Sequence, residues 1–293
     1  MLRRQRTILK LLVTANGSVS ATQLQKYLFL LREETFLRDD AAFYEFLPHR
    51  FGPYSFVASR ELDALAAYGY IEATTSAHLT SLHVSALGID EAKRADDDTS
   101  RAVSAIVSRY AKNPLRDLLK DVYARYSWYA SRSELKELVP VDSPRAAKVP
   151  KSIYTAGYEG RSVDGFLNVL LKAGIKHIID VRANPVSRKY GFARSSLSGI
   201  AGKVGIGYIH CPELGISSEK RKDVRSSLEF RQLFSYYERQ ILPRTTGEIA
   251  SVAERMKASP SVLVCMEKQP QDCHRGRLAA HLAGSTGMDI VHL

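Results

Sequence analysis

The sequence predicts a chain of α/β class: an open parallel, Rossmann-like α/β domain at the C-terminal end, preceded by a mainly helical, winged-helix-like domain. Three observations point there. After residue 150, short continuous apolar runs such as His177–Val181 (HIIDV) and Ser261–Met266 (SVLVCM) alternate with helical patterns, as strands buried on both faces of a parallel sheet do. Before residue 98 the order is helix, helix, helix and then two short strands around a polar turn. Between the two regions, Pro140, Pro144 and Pro150 mark a linker. The expected division is a recognition domain over 1–98, a helical extension over 99–139 packing between the domains, a linker over 140–150, and the α/β domain over 151–293.

Length and composition agree with two domains. The chain has 293 residues, and single cores rarely grow past about 250. With 45% hydrophobic and 25% charged residues, a disordered or fibrous chain is excluded. The apolar runs fall far short of the roughly 18 residues a membrane span needs, so no membrane partner is expected. The basic start, MLRRQRTILKLLV, is interrupted by Lys10 and leads into a packing helix, which argues against a secretory signal. Three cysteines (Cys211, Cys265, Cys273) make no disulfide scaffold, and a reducing, cytoplasmic setting is expected.

The formal net charge is +11, and it is unevenly placed: residues 1–150 hold 21 Lys+Arg against 18 Asp+Glu, the remainder 21 against 13. The excess in the C-terminal half points to nucleic acid, DNA first, or another phosphate-bearing ligand as partner. A solvated basic surface is the plain alternative.

The elements follow in order. Residues 3–15 read as a helix carrying Ile8, Leu9, Leu11 and Leu12. Ser20 and Gln23 form a capping-box pattern, opening a helix with Leu24, Tyr27, Leu28 and Leu31 on one stripe. Pro48 and Pro53 forbid a continuous helix through YEFLPHRFGPYS. A third helix, Ser55 to Tyr68, ends at Gly69, and Tyr70–Thr75 with Leu79–Val84 make a candidate wing. QLQKYLFLL, FGPYS and ELDALAAYGYIE loosely resemble the Panacea or SocA-like antitoxin domains over about 65 residues. The resemblance implies protein or nucleic-acid recognition rather than catalysis, so a protein partner through this domain stands beside DNA. Over 99–139, Tyr123, Tyr126, Trp128 and Tyr129 cluster with Arg125 and Arg132. That cluster is either a base-stacking platform or a packed helical stripe.

In the C-terminal half, strands are expected at Ser152–Thr155, His177–Val181, Gly207–Cys211, Ser261–Met266 and Met288–His292. A helix capped by Ser162 and others near 228–240, 245–258 and 273–283 separate them. Polar clusters follow four of the strands: Gly157-Tyr158-Glu159-Gly160-Arg161, Asp180-Val-Arg182-Ala-Asn184-Pro185 with Ser187, Arg188 and Lys189, His210-Cys-Pro-Glu213, and Glu267-Lys268 with Asp272-Cys273-His274-Arg275. The carboxyl ends of parallel strands are where open α/β sheets bind ligands.

TAGYEGRS, IDVRANPVSRKYGF, IHCPELG and VLVCMEKQPQDCHRGRLAAHL resemble, in order and spacing, the domain of unknown function 488 family, over about residues 152–285. The resemblance implies the fold and a site but no reaction. Its motif positions fall on Gly157, Glu159, Arg161, Asp180, Arg182, Asn184, Pro185, Arg188, Glu213, Cys273, His274 and Arg275.

Chemically, Arg161, Arg182, Arg188 and Arg275 are candidate phosphate clamps, or else structural partners of nearby carboxylates. Tyr158, Asn184, Ser187 and Glu267 complete the expected substrate-binding set. Glu159, between two glycines, is a candidate nucleophile or base with Glu213 or His210 as proton partner, and Asp180 is a second candidate; a loop-stabilising Glu159 is the alternative. Cys273-His274 at a helix start favours a thiolate nucleophile, or simple packing. A metal set from Cys265, Cys273, His274 and His210 is disfavoured, because adjacent Cys-His pairs seldom ligate one ion and no C-x₂-C is present. No metal and no cofactor are expected. IIDVR and VLVC also resemble the rhodanese pattern, but the loop after Cys265 is too long, and Gln271 breaks a C-x₅-R spacing. The expectation is an enzyme hydrolysing or transferring at a glycosidic or phosphate bond of nucleic acid or nucleotide. Alternatives are a non-enzymatic ligand-sensing regulator that binds DNA or docks protein, and then a rhodanese-like sulfurtransferase.

Overall fold

A computed structural model describes residues 1–16, 19–76, 79–111, 113–143, 149–221 and 226–293. The chain divides into two compact units, Met1–Arg145 and Ala146–Leu293.

The first unit holds α1 (Arg3–Thr14), β1 (Val19–Ser20), α2 (Ala21–Glu34), β2 (Leu47–His49), β3 (Gly52–Tyr54), α3 (Phe56–Ala67), β4 (Ile71–Ser76), β5 (Leu79–Val84), α4 (Ala86–Ala92), α5 (Asp97–Tyr110), α6 (Leu115–Arg125) and the single turn α7 (Ser127–Ala130). Ser20 caps α2 by accepting from Gln23 N at 3.1 Å, but Gln23 donates its own amide to Tyr27 Oη at 2.8 Å, so the capping box is only half closed. β4 and β5 form the antiparallel hairpin, and β1 adds to it in the order β1-β5-β4.

The proline-rich segment folds as the β2–β3 hairpin, with Pro48 facing Pro53. α2 fastens its exit. Gln25 donates to Ser55 O and accepts from Ser55 N, and Lys26 Nζ donates to Pro53 O at 2.8 Å. Inside the unit these bonds satisfy backbone groups of the segment that no strand partner reaches.

The 99–139 stretch contributes Val103, Ile106, Val107, Leu118, Leu119, Val122 and Tyr123 to the same core as Leu24, Leu28 and Phe29. It is therefore part of the first unit's own core, which corrects the expected separate extension. Its aromatic cluster is spent on packing as well. Tyr126 and Tyr129 meet Phe29 edge-on with ring centroids at 5.0 and 4.7 Å, and the buried Tyr123 bonds Ser133 through its hydroxyl.

The second unit holds β6 (Ile153–Gly157), α8 (Val163–Lys172), β7 (His177–Asp180), α9 (Arg194–Lys203), β8 (Gly207–His210), α10 (Ser218–Arg221), α11 (Ser227–Tyr236), a π-helical turn over Tyr237–Ile241, α12 (Thr246–Ala258), β9 (Ser261–Cys265), α13 (His274–Thr286) and β10 (Ile290–His292). The five strands form one parallel sheet in the order β10-β6-β9-β7-β8. β6 and β9 are buried at every residue, which explains their unbroken apolar sequence.

Alternate strand residues face opposite sides. Ile153, Ile179 and Leu263 pack with Leu233, Phe234, Val252, Met256 and Leu278 of α11 to α13. The buried Ile178, Val262 and Val264 face the other side, where α8 and α9 bury Phe166, Leu167, Leu170 and Leu197. The chain leaves β6 towards β7, and leaves β9 the opposite way towards β10. With right-handed crossovers, α8 and α13 then lie on opposite faces, and the chain's direction across the sheet reverses between β6 and β9.

Candidate functional site

The loop after β6 begins at Gly157, where a Cβ would fall 1.9 Å from Glu267 O. Only glycine lets the two strand-end loops run this close. Gly160, with φ +77°, turns the chain into α8. Between them Glu159 is exposed. Its backbone N–H donates to Met266 O at 2.9 Å and its Oε2 accepts from Lys268 N at 2.9 Å. The carboxylate thus ties the two loops together through one oxygen. Glu159, Glu267, Gln269 and Asp272 line a hollow of about 440 Å³ with the apolar Phe230, Leu233 and Met266. Three carboxylates make this an acidic hollow.

Asp180 and Arg182, expected as acid/base and clamp, are turned inward. Asp180 is 0% exposed and Arg182 6%. Asp180 accepts from Arg182 N, Nε and Nη2 and from Tyr208 Oη at 2.6 Å. The remaining Arg182 nitrogen, Nη1, donates to Tyr158 Oη at 3.0 Å and Phe192 O at 2.9 Å. Burial pulls the Arg182 pKa down, but the hydrogen bonds and charge of Asp180 outweigh it and hold the guanidinium above its ordinary value. Burial and the Asp180 bond raise the Tyr208 hydroxyl likewise. Tyr158 is locked in the same network, stacked on Phe192 at 4.1 Å and 13°.

Arg275 is also internal. It is 1% exposed, and it donates through Nη1 to Glu267 O and through Nη2 to Lys268 O at 3.0 Å. Arg182 and Arg275 brace the strand-end loops, Arg182 through Nε, Nη1 and Nη2 and Arg275 through Nη1 and Nη2, while the buried Nε of Arg275 has no hydrogen-bond partner. Arg161 keeps Nη1 without a hydrogen-bond partner, and Arg188 is exposed.

A second hollow, of about 950 Å³, opens at the ends of β7 and β8. Asn184, Arg194, Ser195, Ser198, Tyr208 and His210 supply its polar lining, and no carboxylate is among the lining residues. His210 Nε2 lies 2.8 Å from Arg182 O. A carbonyl only accepts, so Nε2 carries the proton and Nδ1 is left as the ring's acceptor. Ser187 accepts from Lys189 N at 3.1 Å, and Glu213 is exposed on the turn Pro212–Leu214. The residues α9 brings to this hollow (Arg194, Ser195, Ser198) were not singled out from sequence. Only Leu197, Ile200 and Ala201 at helical spacing betray that helix, within a segment rich in serine and glycine.

Beneath the strand ends, Cys265, Cys273 and His274 come together, all buried. Sequence reasoning argued against a metal set on the ground that Cys273 and His274 are adjacent. The structure brings them and Cys265 to one point, because Cys273 is extended (φ −141°) while His274 begins α13. His210, the fourth residue of that set, is bonded instead to Arg182 O. The Cys265 thiol is lowered by its hydrogen bond with Cys273 and by His274, against the effect of burial, and Cys273 is raised by burial. Cys273 is 1% exposed, so its sulfur is closed off from both hollows' solvent.

Residues 162–282 match a family model described as "Domain of unknown function DUF488". The match opens at the Ser162 cap of α8 and closes inside α13, taking in both strand ends of the donor-lined hollow and the Cys-Cys-His cluster. Glu159 and Arg161 lie just ahead of it. No curated protein matches the chain. Among the described residues no helix is long and apolar enough to cross a membrane.

Proposed function

We propose that the DUF488-matching unit binds a nucleotide or nucleic-acid phosphate in the hollow at the ends of β7 and β8 and hydrolyses or transfers a phosphate ester there. The observation that carries this reading is the charge contrast between the two hollows. The one holding Glu159 is lined by three carboxylates and repels an anion, whereas the other offers Arg194, Asn184, Ser195 and Ser198 as donors, beside His210 and with no carboxylate. An arginine and converging neutral donors suit a phosphate. His210, protonated on Nε2, has Nδ1 to accept a proton from an attacking water or hydroxyl. Of the two bonds expected from sequence, this favours the phosphate ester over the glycosidic bond. Glu159 becomes a loop tie with one oxygen open to the acidic hollow.

The test is a salt series of binding to labelled DNA, RNA and free nucleotides with the full chain, followed by mass spectrometry for products. Binding that falls steeply with salt is expected. Arg194→Ala should weaken it about tenfold, by loss of one charged contact. His210→Gln retains a donor for Arg182 O and should leave binding intact while lowering turnover by about 100-fold or more. No binding of any of these at low salt ends the reading.

One observation favours a second reading, that of a regulator. In the first unit the succession α1, β1, α2, α3, β4, β5 and the sheet order β1-β5-β4 are those expected of a winged helix, with the β2–β3 hairpin inserted. A sensor of this kind would bind nucleotide and DNA or a protein partner and release no product.

A further inference from the structure

The Cys265, Cys273 and His274 cluster plays no part in the proposed function, and it has a chemistry of its own. Each sulfur lies 3.9 Å from His274 Nδ1, and the three atoms lie within 4.8 Å of one another. Cys265 is 0% exposed, Cys273 and His274 1%. His274 Nε2 is 2.9 Å from Val181 O. That carbonyl accepts, so Nε2 bears the proton and Nδ1 turns its lone pair on both sulfurs. The ring is held edge-on against Tyr237 at 5.5 Å. Cys265 Sγ also lies 3.1 Å from Glu267 Oε2, on the side of the acidic hollow.

We propose that Cys265, Cys273 and His274 form a binding site for a zinc-type divalent ion, with Glu267 or a water from the acidic hollow in the fourth position. Two thiolates and one imidazole are the donor set such ions take, and the usual bond lengths put S and N about 3.6 Å apart across a tetrahedral ion. The 3.9 Å separations close onto an ion with small side-chain movements. The bond from His274 Nε2–H to Val181 O is the outer contact that orients a metal-bound imidazole. A disulfide between the two cysteines fits less well. It would remove both S–H donors and leave Nδ1 with a buried, unanswered lone pair, whereas an ion uses all three donors. Binding puts a metal–sulfur bond in place of each S–H bond still present and releases that proton. The site joins the end of β9 to the start of α13.

The test uses the full chain, purified without a histidine tag, stripped with chelator under reducing conditions and titrated with Co(II), then with Zn(II). One Co(II) per chain is expected, with tetrahedral visible bands and thiolate-to-cobalt charge transfer that Zn(II) abolishes. Cys273→Ala should weaken binding at least 100-fold, and Cys211→Ser should leave it unchanged. X-ray absorption of the zinc-loaded wild type, expected to show two sulfur neighbours, keeps the test independent of any variant's folding. Absence of binding, an octahedral cobalt spectrum without sulfur, or undiminished binding in Cys273→Ala overturns the proposal. So does a Cys265–Cys273 disulfide that reductant and Zn(II) together fail to convert. None of these readouts involves His210 or Arg194, so failure here is separable from failure of the phosphate-ester reading.

Discussion

Arg182 of the second unit and Lys26 of the first are buried cations held in opposite ways. In the second, Arg182 (6% exposed) is buried together with Asp180, and the carboxylate keeps its guanidinium charged against the pull of burial. In the first, Lys26 (1% exposed) meets a carbonyl, Pro53 O, and burial lowers its pKa to about 7. A buried charge survives where a countercharge is buried with it; otherwise the group moves towards its neutral form. The consequence is functional. Arg182 is a permanent charge locked inside the strand-end framework, while Lys26 is a hydrogen-bonding staple whose charge costs stability.

The sharpest way to break this comparison is Asp180→Asn, which keeps the shape and leaves Arg182 charged and unpaired. It should cost about 3–5 kcal/mol, read as a lower midpoint in urea denaturation of the full chain. A loss below about 1 kcal/mol would mean that the pair is not what holds these loops. For Lys26 the sign runs the other way. Its folded pKa of about 7 lies below the unfolded value near 10.5, so the unfolded chain binds the extra proton between these values. Stability then rises with pH, by about 2 kcal/mol between pH 7 and 9. Lys26→Met should remove that part of the slope. An unchanged slope would show that Lys26 stays charged in the fold. The smallest effect is expected from Tyr208→Phe, which deletes one bond to Asp180 while Arg182 still satisfies the carboxylate. About 1 kcal/mol is expected, and a loss as large as that of Asp180→Asn would shift the weight of the network from the ion pair to the tyrosine.

Much of the architecture was legible before the structure. Continuous apolar runs announced β6, β7 and β9, and Ser20 and Ser162 do cap the helices that follow them, while Ser55, read as the first helical residue, is the cap of α3. α9 was not legible, because RSSLSGIAGK has few apolar positions and two glycines. For the 99–139 helices the limit of the sequence is a different one. An amphipathic stripe shows that a face is buried, not which partner buries it, and here the partner is the core around Phe29.

The site divides along the same line. Residue types and their position at strand ends picked out Glu159, Glu267, Asn184 and His210, but not Arg194, Ser195, Ser198 or Tyr208 of the second hollow. They did not distinguish the groups that brace from the groups that remain available. Arg182 and Arg275 read from sequence like Arg188, yet the first two are spent on Asp180, Tyr158 and the 267–268 carbonyls while Arg188 is exposed. Likewise, Cys265 and Cys273 are separated by seven residues with no ligand spacing between them, and their approach to His274 Nδ1 depends on the turn from an extended Cys273 into α13.

By itself, then, the sequence determined the parallel α/β unit, the helical unit before it, the end of the sheet at which polar residues gather, and the uneven basic charge. These follow from local periodicity and composition, which act over a few neighbouring residues. Only the tertiary structure decided that one strand-end hollow is acidic and the other lined by donors, which arginines are bonded internally, and that two cysteines and a histidine converge. Those outcomes depend on distances between residues far apart in the chain, and a carboxylate or thiol takes its chemical character from whatever the fold places beside it.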